Sequence, residues 1–305
     1  GGMKNILVIG GSYFAGRVLV EELLALGGCI PWVMNRGNRP LKLAGVHEIV
    51  CDRHDTVRMA SAIPAREWHA VVDFCAYAPG DVSTVLQHLP GVVRRYIYIS
   101  TATVLRNSAH LPMRDDAATV TGPSAGRDGA YAFHKWLLEG ELAQACKGRG
   151  IPHVSLRPAI VYGKYNYAPR ESWFFDLIGK GEPIMLPTPP QALFSMVSVW
   201  DLAQICIACM DNGDVPGDAW AVCADELVSC DLLIEALEAI VARKLDVRRQ
   251  SVRVLNAAGL ALPFPLEEHL VYSGARLQQV LSHRFLSLEE GMARTYAWYR
   301  QAASQ

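Results

Sequence analysis

Apolar and polar positions alternate in blocks along the first 160 residues, and the block lengths separate strands from helices. Ile6 to Ile9 is a short apolar run stopped by Gly10-Gly11, which predicts a buried strand. Leu19, Leu23 and Leu26 then recur at helical spacing until Gly27-Gly28 ends the segment. The pattern repeats. Residues 30–34 predict a second strand, ending at Asn35-Arg36-Gly37-Asn38, and residues 46–51 a third, ending at Asp52-Arg53. Residues 57–63 predict a helix, 70–75 a fourth strand, and 82–89 a helix between Pro79-Gly80 and Pro90-Gly91. A fifth strand is expected over 96–100, a long helix over 131–147, and a sixth strand over 154–158. Strands alternating with helices at this length imply an α/β fold, a Rossmann-type doubly wound parallel sheet covered on both faces.

Past the sixth strand the texture changes. Residues 163–191 are rich in Gly, Pro and aromatics, as expected for loops and short helices over a cleft. Val197 to Met210 returns to strand and helix, and residues 219–305 carry two or three helices. The expected division is a dinucleotide-binding domain over 3–163, to which 197–222 returns. A smaller C-terminal substrate-binding region takes 164–196 and 223–305. There is no internal repeat.

Composition narrows the classes of function. The chain has 305 residues, of which 51% are hydrophobic, enough for a sizeable core, and its formal net charge is −1. That balance argues against nucleic acid or a membrane surface as the main partner and for a small-molecule substrate. No apolar run approaches the roughly 18 to 20 residues that span a bilayer. No basic stretch precedes an apolar one at the N-terminus, and Gly1-Gly2 ahead of Met3 resembles a tag remnant. Eight cysteines are scattered, and the single C-x-x-C, Cys206 to Cys209, lies in an apolar helical run without a second pair at zinc spacing. Buried reduced thiols, no metal and a cytoplasmic location are the expectation.

Two motifs carry chemistry. Gly10 and Gly16 hold the outer places of a three-glycine turn between strand and helix, with Tyr13 where the middle glycine would stand. In that context backbone N–H groups approach a pyrophosphate at the positive end of the helix. The plain alternative is an ordinary strand-to-helix turn. Tyr131-x-x-x-Lys135 places a phenol and an ammonium on one helical face. A free tyrosine, with a pKa near 10, is a poor acid–base catalyst at neutral pH. Bringing it down to about 7 takes about 4 kcal/mol, within reach of Lys⁺ and an oxidised nicotinamide in a dry cleft. The plain alternative here is a surface Tyr–Lys pair. His134 reads as a helix-surface residue.

Together with Ile99 to Val104, Leu156 to Gly163 and Val197 to Ala203, these motifs resemble an extended or atypical short-chain dehydrogenase/reductase of the NAD-dependent epimerase/dehydratase type. The motifs run in the family's order over nearly the whole chain. The resemblance implies that Thr101 hydrogen-bonds the reacting oxygen, Tyr131 is the general acid–base, and Lys135 holds the nicotinamide ribose. Gly10, Gly11, Ser12, Tyr13, Phe14 and Gly16 would hold the pyrophosphate. Cys75, Ala76 and Tyr77 would line the middle of the cofactor, and Ser100, Pro158 and Ile160 would flank its nicotinamide half. Asp52 and Arg53 would sit beside the adenine. Tyr13 matches the branch that resembles chloroplast RNA-binding reductase-like proteins. The aromatic–Asn pair common in nucleotide-sugar epimerases is absent at Pro158-Ala159-Ile160.

In this fold an acidic residue at the end of the second strand binds the adenosine ribose. Asn35-Arg36 stands there instead, and Arg36 suits a 2′-phosphate, with Arg39 and Arg53 adding positive potential. NADP is favoured, and NAD stays open through Asn35. Asn166, Arg170 and Trp173 are the substrate candidates, against a polar lid with one anchoring aromatic. The expected activity is an NAD(P)-dependent oxidoreductase or epimerase acting at a carbinol or carbonyl carbon, of a sugar or nucleotide sugar. The alternatives are a reductase of a natural-product ketone, or a non-catalytic cofactor-binding or RNA-associated protein on the same fold. Family analogy also suggests a homodimer through the Tyr131 helix face and residues 82–89.

Overall fold

The computed structural model describes residues 2–126, 129–166 and 168–304. In chain order the first half runs β1 (Lys4–Ile9), α1 (Phe14–Leu26), β2 (Cys29–Asn35), β3 (His47–Val50), α2 (Thr56–Ala62), β4 (Arg66–Asp73), α3 (Asp81–His88), β5 (Gly91–Val93) and β6 (Tyr96–Ile99). A one-turn 3-10 segment, Ala102–Val104, follows, then α4 (Tyr131–Arg149), β7 (His153–Pro158) and β8 (Ile160–Tyr162). The remainder is α5 (Glu171–Lys180), β9 (Ile184–Pro187), β10 (Met196–Ser198), α6 (Val199–Asp211), β11 (Ala219–Val222), α7 (Cys230–Val241), β12 (Val247–Gln250), α8 (Val252–Ala257), α9 (Ala275–Leu281) and α10 (Leu288–Ala303).

The main sheet has the order β11-β7-β6-β4-β1-β2-β3, with β5 also on β4, and its pairs are parallel. The continuous apolar run of β1 follows from this burial. Ile6 and Val8 enter a core shared with Leu19, Leu202 and Cys206, whereas Leu7 and Ile9 enter the opposite core with Met34, Tyr98 and Leu138. Each such side chain, fully buried, contributes roughly 1.5–3 kcal/mol. From β1 the chain moves outward to β2 and β3, then crosses back to β4 on the other side. Such a reversal opens a crevice at the C-terminal strand ends, where ligands of open α/β sheets bind. Gly10, just past β1, and Asp73, the last residue of β4, mark its floor.

A third core, around Phe174, Phe194, Leu237 and Met292, belongs to α5, β9, α7 and α10. It hangs beside the crevice through β8, which pairs with β10. α10 begins with a reciprocal capping box of Ser287 and Glu290. Cys206 and Cys209 are unpaired, buried thiols in α6. Among the described residues no helix is long and apolar enough to cross a membrane.

Candidate active site

Two cavities lie end to end over the crevice. One, about 410 Å³, runs from Gly10 and Ser12 past Asn35, Arg36, Asp52 and Arg53 to Cys75. The other, about 390 Å³, takes in Phe14, Gly16, Ser100, Thr101, Tyr131, Lys135, Pro158, Ile160 and Arg170. Tyr13 and Tyr77 line both, and with 42% and 53% of their surface exposed they stand at the junction.

The glycine turn explains its own composition. Gly10 has φ of 83°, a left-handed conformation that side chains rarely adopt. At Gly16 a Cβ would lie 2.3 Å from the Gly10 carbonyl oxygen, so only glycine lets α1 sit this close to the turn. Gly11 has another use: a Cβ there would meet Val8 at 2.9 Å and Val20 at 3.1 Å, so it serves packing between strand and helix. Tyr13, the N-cap of α1, gives its first-turn amides no side-chain cap. Uncapped amides at a helix start, facing a long double cavity, fit the pyrophosphate of a dinucleotide.

A buried network holds the crevice floor. The Arg53 guanidinium donates two bonds to Asp73, at 2.8 and 2.9 Å, and a third to the Asp81 carbonyl at 2.7 Å. Tyr96 Oη donates to the same Asp73 carboxylate at 2.5 Å. Burial alone would push the Asp73 carboxyl up, but these partners hold it below the ordinary value. Arg53 borders the first cavity, but its charge is committed to Asp73 and adds little to any phosphate field. Asn35 is similarly committed, donating to Glu48 at 2.9 Å and accepting from the Gly37 amide at 2.7 Å. Arg36 is exposed in the same cavity, near enough to lower the Asp52 pKa, behind the larger effects of His54.

The candidate acid–base residues come from different elements. Tyr131 and Lys135 sit one turn apart at the start of α4. Glu139, one turn further, pins that helix to the sheet: it accepts from Ser100 Oγ at 2.6 Å and from Arg157 at 2.7 and 2.9 Å. Lys135 is only 2% exposed, and Nζ donates to the Ala76 and Ile99 carbonyls at 2.9 and 2.7 Å. An ammonium has three donors, so one remains for a ligand. Burial brings the Lys135 pKa down to about 8. Thr101 caps the 3-10 turn by accepting from the Thr103 amide at 3.2 Å, and its hydroxyl meets that of Thr103 at 2.9 Å. Tyr131 is 44% exposed, and lost hydration raises its pKa. Burial of the phenol sets the direction of that shift.

Other candidates lie off the cleft. Asn166 is buried and donates to Glu171 at 3.0 Å, and Trp173 packs edge-on against Phe174 in the third core. Neither lines the second cavity, so the reading of them as substrate contacts is corrected to structural roles. Ala76 is fully buried and contributes only its carbonyl, to Lys135. Arg170 does line the cavity, steadied by a 2.9 Å bond to the Val161 carbonyl. Sequence reasoning missed Thr103, Phe14's neighbour Ala15, Phe74, Leu202, Leu270 and Tyr272, which complete the wall. Thr103, two residues past Thr101, carried a usable signal; the apolar residues did not.

The model of the NAD dependent epimerase/dehydratase family matches residues 82–223, a stretch that includes Thr101, Tyr131 and Lys135. That stretch is a little under half of the chain, which over it resembles the family. Its α/β fold, with a large parallel sheet, is that of solved epimerases. The epimerase Mth375 of Methanothermobacter thermautotrophicus superposes with a TM-score of 0.78 at 16% identity, covering 99% of this chain and 94% of that one. The UDP-N-acetylglucosamine 4-epimerase of Methanobrevibacter ruminantium, solved with UDP-N-acetylmuramic acid, gives 0.75 at 16% identity over 99% and 100%. A UDP-glucose 4-epimerase of Thermotoga maritima, solved with UDP-glucose, gives 0.73 at 16% identity over 98% and 99%. Among curated proteins, a chloroplast stem-loop binding protein of 41 kDa from Arabidopsis thaliana is 28% identical over 247 residues, 76% of this chain. The match spans 62% of that relative's length.

Proposed function

We propose that this protein is an NAD(P)-dependent oxidoreductase or epimerase acting at a carbinol or carbonyl carbon of a sugar or nucleotide sugar. The observation that carries the reading is the meeting of Thr101, Tyr131 and Lys135 with the glycine turn in one cavity, although they come from three separate parts of the chain. When bound, a nicotinamide supplies and accepts hydride. The protein's own part is to hold and move a proton. Thr101 Oγ1 hydrogen-bonds the substrate oxygen, and Tyr131 Oη gives or takes that oxygen's proton. The remaining Lys135 donor holds a ribose hydroxyl, and its charge favours phenolate once the cleft fills. Arg170 supplies a cation for an anionic part of the substrate. Nucleotide sugars bound by the similarly folded epimerases support this class of substrate.

The competing reading is nucleic-acid binding, as in the name of the chloroplast relative. A net charge of −1 and a complete acid–base set favour the enzyme. Turnover of UDP-sugars by the cofactor-loaded protein, compared with Tyr131→Phe, tests the proposal. The variant keeps the ring and loses the phenolic proton, so turnover should fall at least about 100-fold with cofactor affinity unchanged. Wild-type turnover in the variant would remove Tyr131 from the mechanism.

A further inference from the structure

Thr101 and Thr103 line the same cavity, with their hydroxyl oxygens 2.9 Å apart. The turn that carries them is anchored. The Val104 amide donates to the Thr101 carbonyl at 3.2 Å, and the Leu105 amide to the Ala102 carbonyl at 3.0 Å. Ala102 and Val104, on either side of Thr103, are 1% and 0% exposed, whereas Thr103 itself is exposed. Among the described residues its hydroxyl has no hydrogen-bond partner besides Thr101.

A threonine hydroxyl carries one hydrogen and two acceptor sites. At Thr101 Oγ1 the Thr103 amide takes one of those acceptor sites, at 3.2 Å. The direction of the bond to Thr103 decides the rest. If the Thr103 hydroxyl donates, both acceptor sites of Thr101 are filled, and its own hydrogen is left for a ligand in the cavity. If Thr101 donates instead, it has no hydrogen left to give. Only the first arrangement serves an oxygen that gains negative charge as its proton leaves, because such an oxygen is stabilised by donors aimed at it beforehand.

We propose that Thr103 is a positioning residue whose hydroxyl donates to Thr101 Oγ1 and so turns the Thr101 hydrogen toward the reacting oxygen of the substrate. This rests on the reading of Thr101 as the group that hydrogen-bonds that oxygen. Thr103 then acts through Thr101 and not by a substrate contact of its own.

A double-mutant cycle of Thr103→Val and Thr101→Val tests this on the whole, cofactor-loaded protein, with UDP-glucose and UDP-glucuronic acid as substrates. Valine keeps the branched shape and removes the hydroxyl. In Thr103→Val, kcat should fall about tenfold with KM within about threefold. Thr103→Ser keeps the hydroxyl and should return kcat to within about threefold of the wild type. In a Thr101→Val background, read by single-turnover incubation, adding Thr103→Val should change the rate by less than about twofold, since no Thr101 hydrogen remains to be directed. The melting temperature of Thr103→Val should match the wild type, because the side chain is exposed. An unchanged kcat in Thr103→Val overturns the assignment. So does a raised KM with kcat kept, or a tenfold loss that persists without the Thr101 hydroxyl, since Thr103 then touches the substrate itself. A melting temperature lowered by several degrees also overturns it, in favour of a structural role. Wild-type kcat in Thr101→Val alone, or no turnover of either sugar nucleotide by the wild type, refutes the proposed function instead, and the assignment of Thr103 falls with it.

Discussion

Gly16→Ala adds one carbon at the most crowded point of the site. Its Cβ would stand 2.3 Å from the Gly10 carbonyl oxygen, 3.0 Å from the Gly10 carbonyl carbon and 3.1 Å from Gly11 Cα. The obstacle is backbone on every side, so no side chain can swing away. An ordinary contact needs at least about 3.4 Å, so α1 must back off the turn by about 1 Å. Overpacking of this kind costs roughly 1–3 kcal/mol. Alanine returns up to about 1 kcal/mol through better helix propensity. The net loss is about 1–2 kcal/mol, a fall of a few degrees in melting temperature for a chain of this size. Affinity should suffer more. First-turn amides displaced by about 1 Å lose good hydrogen-bond geometry to a pyrophosphate, and each charge-assisted bond is worth about 1.5–3 kcal/mol. Calorimetry with NADPH should show Kd at least tenfold weaker. Gly140→Ala is the control: it lies exposed within α4, and nothing stands within 4 Å of its Cβ. There the same substitution should stabilise by about 0.5–1 kcal/mol and leave affinity alone. A Gly16→Ala protein that melts and binds like the wild type would refute the close-approach argument.

Arg36→Ala should weaken NADPH binding and spare NADH, because only the former carries a 2′-phosphate; parallel titrations check it, and tighter NADH binding by the wild type would contradict the expectation. Asp73→Asn leaves the buried Arg53 charge uncompensated and should cost about 3–5 kcal/mol in a denaturant titration. For Lys135, the folded pKa of about 8 lies below the ordinary 10.5. Between those values the unfolded chain binds the extra proton, so this residue's contribution to stability rises with pH, by up to about 1.4 kcal/mol per pH unit, and is flat below about pH 8. The difference in stability between wild type and Lys135→Met should trace that rise, and a flat difference from pH 8 to 10 would count against a strained ammonium.

The strands and helices of the first half were legible because apolar runs and glycine stops are local signals. Two strands of the main sheet escaped. β5 is three residues long, and β11, Ala219–Val222, follows a Pro-Gly-Asp turn that reads as loop; both gain strand character from their neighbours on β4 and β7. α8 and α9, at six and seven residues, are too short for helical periodicity to accumulate. Within the site, residues defined by a motif were found, and Tyr131, Lys135 and Thr101 converge. Asn166 and Trp173 were misread because polarity and aromaticity do not tell which way a side chain turns. Arg53 lines the first cavity, but its charge is held by Asp73, twenty residues away, a pairing invisible before folding.

The helix that bears the acid–base pair also terminates its neighbour. From α4, Glu141 accepts from the Gly80, Val82 and Ser83 amides at 2.6, 3.1 and 3.0 Å, and so caps α3. Lys135 on the same helix grips the Ala76 carbonyl, and Asp81 at the start of α3 holds the Tyr77 and Ala78 amides. The wall formed by residues 76–81 is therefore bolted to the helix of Tyr131 at both ends. Any drift of that helix carries the wall with it, so under the proposed function the spacing between Tyr131 and the bound cofactor would be a property of the scaffold.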